Sequence, residues 1–150
     1  AVKKGKDIDA RGNMLVASAM GATAFQKGLG SIHSLSHPFG GLYDAHHGLL
    51  NGIIMPYVLK ANARKIDKKI ERVAGYLGIK GGFNGFMKFV LALRKETGIP
   101  HALKDIGIDL KRLDDVARMA IKDPTHEANP VAFSEKQYKS LAKKCVTGDL

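Results

Sequence analysis

Ser31-Ile-His-Ser-Leu-Ser-His-Pro-Phe-Gly-Gly-Leu-Tyr-Asp-Ala-His-His-Gly-Leu-Leu-Asn51 holds four of the six histidines of this 150-residue chain. Between Asn13 and Leu59 the only charged side chains are Lys27 and Asp44. Neutral imidazole is the commonest metal ligand and a proton carrier near neutral pH. Imidazoles gathered where almost nothing else ionises therefore point to a buried site rather than a solvated face. The spacing His33-x3-His37 puts both rings on one face of a helix, one turn apart. His46 and His47 follow an expected break at Gly40-Gly41.

A lone histidine in apolar surroundings is ordinarily a hydrogen-bonded core residue, and the whole cluster admits either that reading or a metal or catalytic site. HxxxH is also the spacing of helical zinc ligands, but a zinc protease needs Glu directly after the first His, where this chain has Ser34. Pro38 leaves the local geometry open. Inside a helix it kinks the axis; at the start of one it would make His37 a cap and free the two rings to diverge.

Working outward, the pattern is helical almost throughout. Met14 to Gln26 is rich in Ala and Met, with Ala17, Gly21 and Ala24 small enough to permit close helix approach. Helices are expected at Ser31–Tyr43 and from His47 to about Leu59. A further helix at Ala63–Leu77 ends at Gly78, a C-cap position. Asn84–Thr97 carries Phe86, Phe89, Val90 and Leu93 on one face and stops at Gly98-Ile-Pro100. Asp109 is expected to cap a helix through about Lys122 that Pro124 stops. Ser134 with Gln137 forms a capping box for a last helix through about Lys144. Period-two alternation is nearly absent, so at most two short strands are expected.

Composition narrows the function classes. The length suits one domain with a real core. The lone Cys145 excludes an internal disulfide and is compatible with a reducing cytoplasm. The uncharged run Gly12 to Gln26 falls short of the ~20 apolar residues of a membrane-spanning helix and lacks signal-peptide order. The formal charge is +10, and Lys60 to Arg72 holds six cations against two acids. Ile66, Ile70, Val73 and Leu77 recur at helical spacing through that stretch, so its cations read as the wet face of an amphipathic helix rather than a nucleic-acid footprint.

Several motifs together resemble one family. Gly28-Leu-Gly-Ser-Ile-His33, His37-Pro-Phe-Gly40 and His46-His-Gly48 with Asn51 and Pro56 are similar to the C-terminal signature of iron-containing (group III) alcohol dehydrogenases, related in fold to dehydroquinate synthase. Tyr57-Val-Leu-Lys-Ala-Asn62, Gly98-Ile-Pro100, Leu103-Lys-Asp-Ile-Gly107 and Ala128-Asn-Pro130 continue the likeness in the family's order across essentially the whole chain. Leu50 departs from it, standing where the family has a small residue.

The resemblance implies an all-α, bundle-like, metal-binding domain of the dehydroquinate synthase-like fold, spanning residues 1–150. The N-terminal dinucleotide-binding α/β domain would lie outside it. The family binds a divalent metal through one Asp and three His, and the last two of those histidines match His33 and His47. His37 matches a non-ligating histidine beside the nicotinamide and substrate, a catalytic and cofactor-binding position. His46 is expected to be a loop residue next to a ligand. The implied cofactors are Fe(2+), with Zn(2+) a second candidate, and NAD or NADP held mainly by the other domain. The implied substrate is a small alcohol or aldehyde, the implied location cytoplasmic, and the full-length protein a homodimer. With two of four ligands and no Gly-rich phosphate loop, the chain alone is expected to bind metal weakly and to be inactive. The competing reading is a non-catalytic helical binding module that presents its basic face to an acidic partner.

Overall fold

The computed structural model describes residues 1–150 and contains no strand. Six α-helices follow in order: α1 (Ile8–Ala24), α2 (Ser31–Tyr43), α3 (His47–Tyr76), α4 (Gly82–Glu96), α5 (Leu113–Lys122) and α6 (Glu135–Thr147). Short 3-10 turns occupy Phe25–Lys27, Leu103–Ile106 and Pro124–Ala128. The all-α expectation holds, with one helix fewer than the pattern suggested.

The difference lies at Lys60-Ala-Asn62, where a boundary was expected and α3 runs through for 30 residues. Asn side chains usually weaken a helix by bonding its own backbone. Here Asn62 is buried and bonded elsewhere: its Nδ2 donates to Asn129 Oδ1 (2.9 Å) and its Oδ1 accepts from Asn129 Nδ2 (2.9 Å). The same Asn129 Oδ1 accepts from Ser31 N (3.1 Å), so a residue 98 positions away satisfies a free N–H at the start of α2. This approach requires small residues beneath it. A Cβ on Gly28, whose φ is +91°, would come within 2.9 Å of Ala128 Cβ.

Helix α2 has the bounds expected, but the break expected at Gly40-Gly41 does not occur: both glycines continue the helix, and the break falls at Asp44, which adopts the left-handed conformation (φ 51°). Asp109 does not cap α5, which starts at Leu113 behind Arg112; its Oδ1 instead accepts from Lys111 N and the Tyr43 hydroxyl (both 3.0 Å). The Ser134–Gln137 capping box forms as expected, with Ser134 N donating to Gln137 Oε1 (2.8 Å).

The core is built where α2, α3, α5 and α6 meet. Leu35 and Phe39 of α2, Leu50, Ile53 and Ile54 of α3, Val116 of α5, and Tyr138 and Cys145 of α6 are completely buried in one cluster. Leu50 therefore fills core space. In contrast, α1 buries no side chain, and nothing lies within 4 Å of a Cβ placed on Gly21. The close approach expected at Ala17, Gly21 and Ala24 does not occur in this chain.

Candidate metal and active site

Pro38 lies inside α2, which begins seven residues earlier at Ser31. His37 is therefore not a cap, and His33 and His37 project from successive turns. Asp44 then reverses the chain, and His47 is the first residue of α3. Packing of α2 on α3 through Leu35, Phe39, Leu50 and Ile54 brings the three rings together. Their centroids are separated by 5.2 Å (His33–His47), 5.4 Å (His37–His47) and 5.7 Å (His33–His37). His46, exposed, caps α3 as Leu49 N donates to its Nδ1 (3.3 Å).

One turn beyond His47, Asn51 binds two of these rings at once. Its Nδ2 lies 3.3 Å from His33 Nε2 and 3.0 Å from His47 Nε2. An amide nitrogen only donates, so both Nε2 atoms are acceptors in this arrangement and both imidazoles carry their proton on Nδ1. Two nitrogen lone pairs thus converge on one point. Asn51 Oδ1 is buried with no hydrogen-bond partner, a state that costs about 1–3 kcal/mol.

Electrostatics keep one of these donors available. Burial lowers the His33 pKa, the neighbouring His47 and His37 rings lower it further, and Asp123 opposes them. A neutral imidazole is the form that binds a cation.

His37 differs from the other two. Its Nδ1 lies 2.7 Å from Asp123 Oδ2, and the side chains are 43% and 12% exposed. Asp123 is itself anchored, its Oδ1 accepting from Thr125 N (2.9 Å) and Thr125 Oγ1 (2.6 Å). Burial pushes its carboxyl pKa up, but the bonds from Thr125 and His37 outweigh that and bring it below the ordinary value. Thr125 Oγ1 also meets Ser34 Oγ (2.9 Å), tying the segment after α5 to α2.

Sequence reasoning assigned Asp123 no role, since Asp123-Pro124 reads only as a helix stop and its partner is 86 residues away. Asn51 was part of the family-like signature, but its bridging of two rings is visible only in three dimensions. The remaining histidines stand apart. His101 accepts from Arg94 Nη2 at Nδ1 (2.6 Å) and donates from Nε2 to Gly148 O (3.0 Å), while His126 Nδ1 meets the Tyr138 hydroxyl (2.9 Å).

The donor chemistry fits half of a cation site. Two convergent Nε2 lone pairs suit a divalent first-row metal, and no set of three His, Cys, Asp or Glu side chains is arranged to complete it.

Residues 1–146 match the Fe-containing alcohol dehydrogenase family, C-terminal. The chain is 37% identical to 4-hydroxybutyrate dehydrogenase of Cupriavidus necator, over 96% of its own length and 40% of that enzyme. It is 32% identical to alcohol dehydrogenase 4 of Saccharomyces cerevisiae, over 96% of its length and 39% of that protein. Among solved structures, alcohol dehydrogenase from Oenococcus oeni superposes with a TM-score of 0.88 at 27% identity, covering 95% of this chain and 39% of that one. The chain thus spans about two fifths of the length of these relatives. From its matched residues, its relatives and its fold, this chain belongs to the iron-containing alcohol dehydrogenase family, of which it carries the C-terminal helical region.

Proposed function

We propose that these residues form the metal-side half of a metal-dependent, NAD(P)-linked dehydrogenase that interconverts a small alcohol with its aldehyde or ketone. His33 and His47 are the ligands supplied by this half, and His37 stands beside the substrate and nicotinamide. The observation that carries the reading is the convergence of His33 Nε2 and His47 Nε2 on Asn51 Nδ2, with His37 on the same wall. A bound divalent metal would supply Lewis-acid polarisation of the alcohol oxygen, and a bound nicotinamide would supply the hydride acceptor.

This chain's own residues do the rest. His33 and His47 present neutral Nε2 lone pairs, which Asn51 Nδ2 must yield for a cation to bind there, and Phe25 packs against the His33 ring with centroids 6.0 Å apart. His37, close to both but engaged by Asp123, is free to exchange a proton with the alcohol. Iron fits a set of imidazoles and a carboxylate with an open position, and zinc fits it too. The other two donors and the dinucleotide cradle would come from outside these 150 residues, consistent with relatives two and a half times as long. A cytoplasmic location and a homodimeric full-length enzyme belong to the same reading.

The test is kinetic. In the full-length enzyme, His33→Ala and His47→Ala should each remove several kcal/mol of Lewis-acid stabilisation, about a thousandfold in kcat/KM for short alcohols. The isolated chain should produce no NAD(P)H. Turnover untouched by His47→Ala, or alcohol oxidation by the isolated chain, would overturn the proposal.

A further inference from the structure

We propose that Asp123 is a positioning residue that fixes the tautomer of His37, so that the lone pair on His37 Nε2 receives the hydroxyl proton of the alcohol. The inference rests on the dehydrogenase reading above and adds to it a residue, and an atom, for the proton.

The geometry is specific. Asp123 Oδ2 sits 2.7 Å from His37 Nδ1, within the range of a charge-assisted bond. A carboxylate only accepts, so the proton of the neutral ring must reside on Nδ1, leaving Nε2, on the opposite edge, as an acceptor. Asp123 cannot swing away, because Thr125 N and Thr125 Oγ1 both donate to its other oxygen and Thr125 is tied to Ser34 of α2. The ring also stacks on His47, with centroids 5.4 Å apart and an interplanar angle of 21°.

The step balances. The O–H bond of the alcohol breaks and an N–H bond forms at His37 Nε2. The C–H electron pair leaves as hydride for the nicotinamide, and the C–O bond becomes a carbonyl. His37, 43% exposed, then returns the proton to solvent.

Asp123→Asn provides a distinguishing substitution. Thr125 N still requires an acceptor, so Asn Oδ1 stays on it and Asn Nδ2 faces His37. An amide nitrogen donates, which moves the ring proton to Nε2 and abolishes the acceptor there. The experiment is 15N NMR of the imidazoles in the labelled, metal-free chain at neutral to mildly alkaline pH, paired with kinetics of the full-length enzyme. The wild-type chain should hold His37 as the Nδ1–H tautomer, and Asp123→Asn should convert it to Nε2–H with His33 and His47 unmoved. In the full-length enzyme the same substitution should lower kcat by about 10²–10⁴-fold, with KM for the alcohol and metal content little changed.

A wild-type His37 protonated on Nε2 overturns the inference without any variant, so poor folding of Asp123→Asn would not shelter it. An unaltered tautomer or an unaltered kcat in the variant overturns it equally, with the dehydrogenase reading intact. A full-length enzyme that oxidises no alcohol is the separate failure of that reading, and it removes the proton-transfer role too.

Discussion

Single residues hold this structure together through bonds that span the sequence. The reciprocal amides of Asn62 and Asn129 join the middle of α3 to the loop before α6, and Asn129 also accepts from the first residue of α2. Asn62→Ala removes both bonds of the pair, while Asn129 keeps Ser31 N at its Oδ1 and Val131 O at its Nδ2; the loss should destabilise the chain by about 1–3 kcal/mol in urea unfolding, and a change within a few tenths would show that the pair is not load-sharing. Asp123 carries a pH signature. Its folded-state pKa lies below the ordinary value of 3.8, so its contribution to stability is complete above that value and is lost as pH falls through the lowered one. Acid titration of stability should therefore be less steep below about pH 4 in Asp123→Asn than in the wild type; identical curves would contradict this. Cys145, fully buried, has its thiol pKa driven far up by desolvation. It should resist thiol reagents until the chain unfolds, and rapid labelling of the native chain would refute the burial.

At the level of elements, helix type and most ends were legible because their signals are local. Gly78 and Gly98 take positive φ just past α3 and α4, and the Ser134 cap closes on Gln137. The errors came where a distant partner decides the outcome. Asn62 keeps α3 continuous because Asn129 engages its side chain, and Asp109 is diverted from capping by Tyr43 and Lys111. The cations of α3, Lys60, Arg64, Lys65, Lys68, Lys69 and Arg72, are all exposed, but the apolar stripe expected opposite them is only partly dry: Ile66 and Ile70 are half-buried, and Val73 and Leu77 are exposed. Helix α1 is the informative exception, since its apolar Met14, Leu15, Val16 and Met20 are more than half exposed. In this chain Leu15→Ala should change stability by no more than about 0.5 kcal/mol, against about 3–5 kcal/mol for Phe39→Ala in the core. A large loss from Leu15→Ala would mean that α1 packs in solution against a surface it leaves uncovered here.

For the molecule as a whole, the HxxxH spacing and the fold bring out different pairs within one histidine cluster. HxxxH groups His33 with His37, while the fold sets His33 and His47 around one amide, across the reversal at Asp44, and gives His37 a carboxylate of its own. Residues adjacent on one helix are easily seen in a pattern; Asn51 and Asp123 enter only when α2, α3 and the end of α5 are packed together. On the proposed reading, two rings serve the metal and one the proton. The most direct measurement is a titration of the 15N-labelled chain with Zn(2+), a redox-inert probe, followed at every imidazole. Weak binding is predicted, with the Nε2 resonances of His33 and His47 shifting together, His37 keeping its proton on Nδ1, and the response lost in His47→Ala. A cation that engages His37 Nε2 or His101 instead, or that binds undiminished without His47, would contradict it.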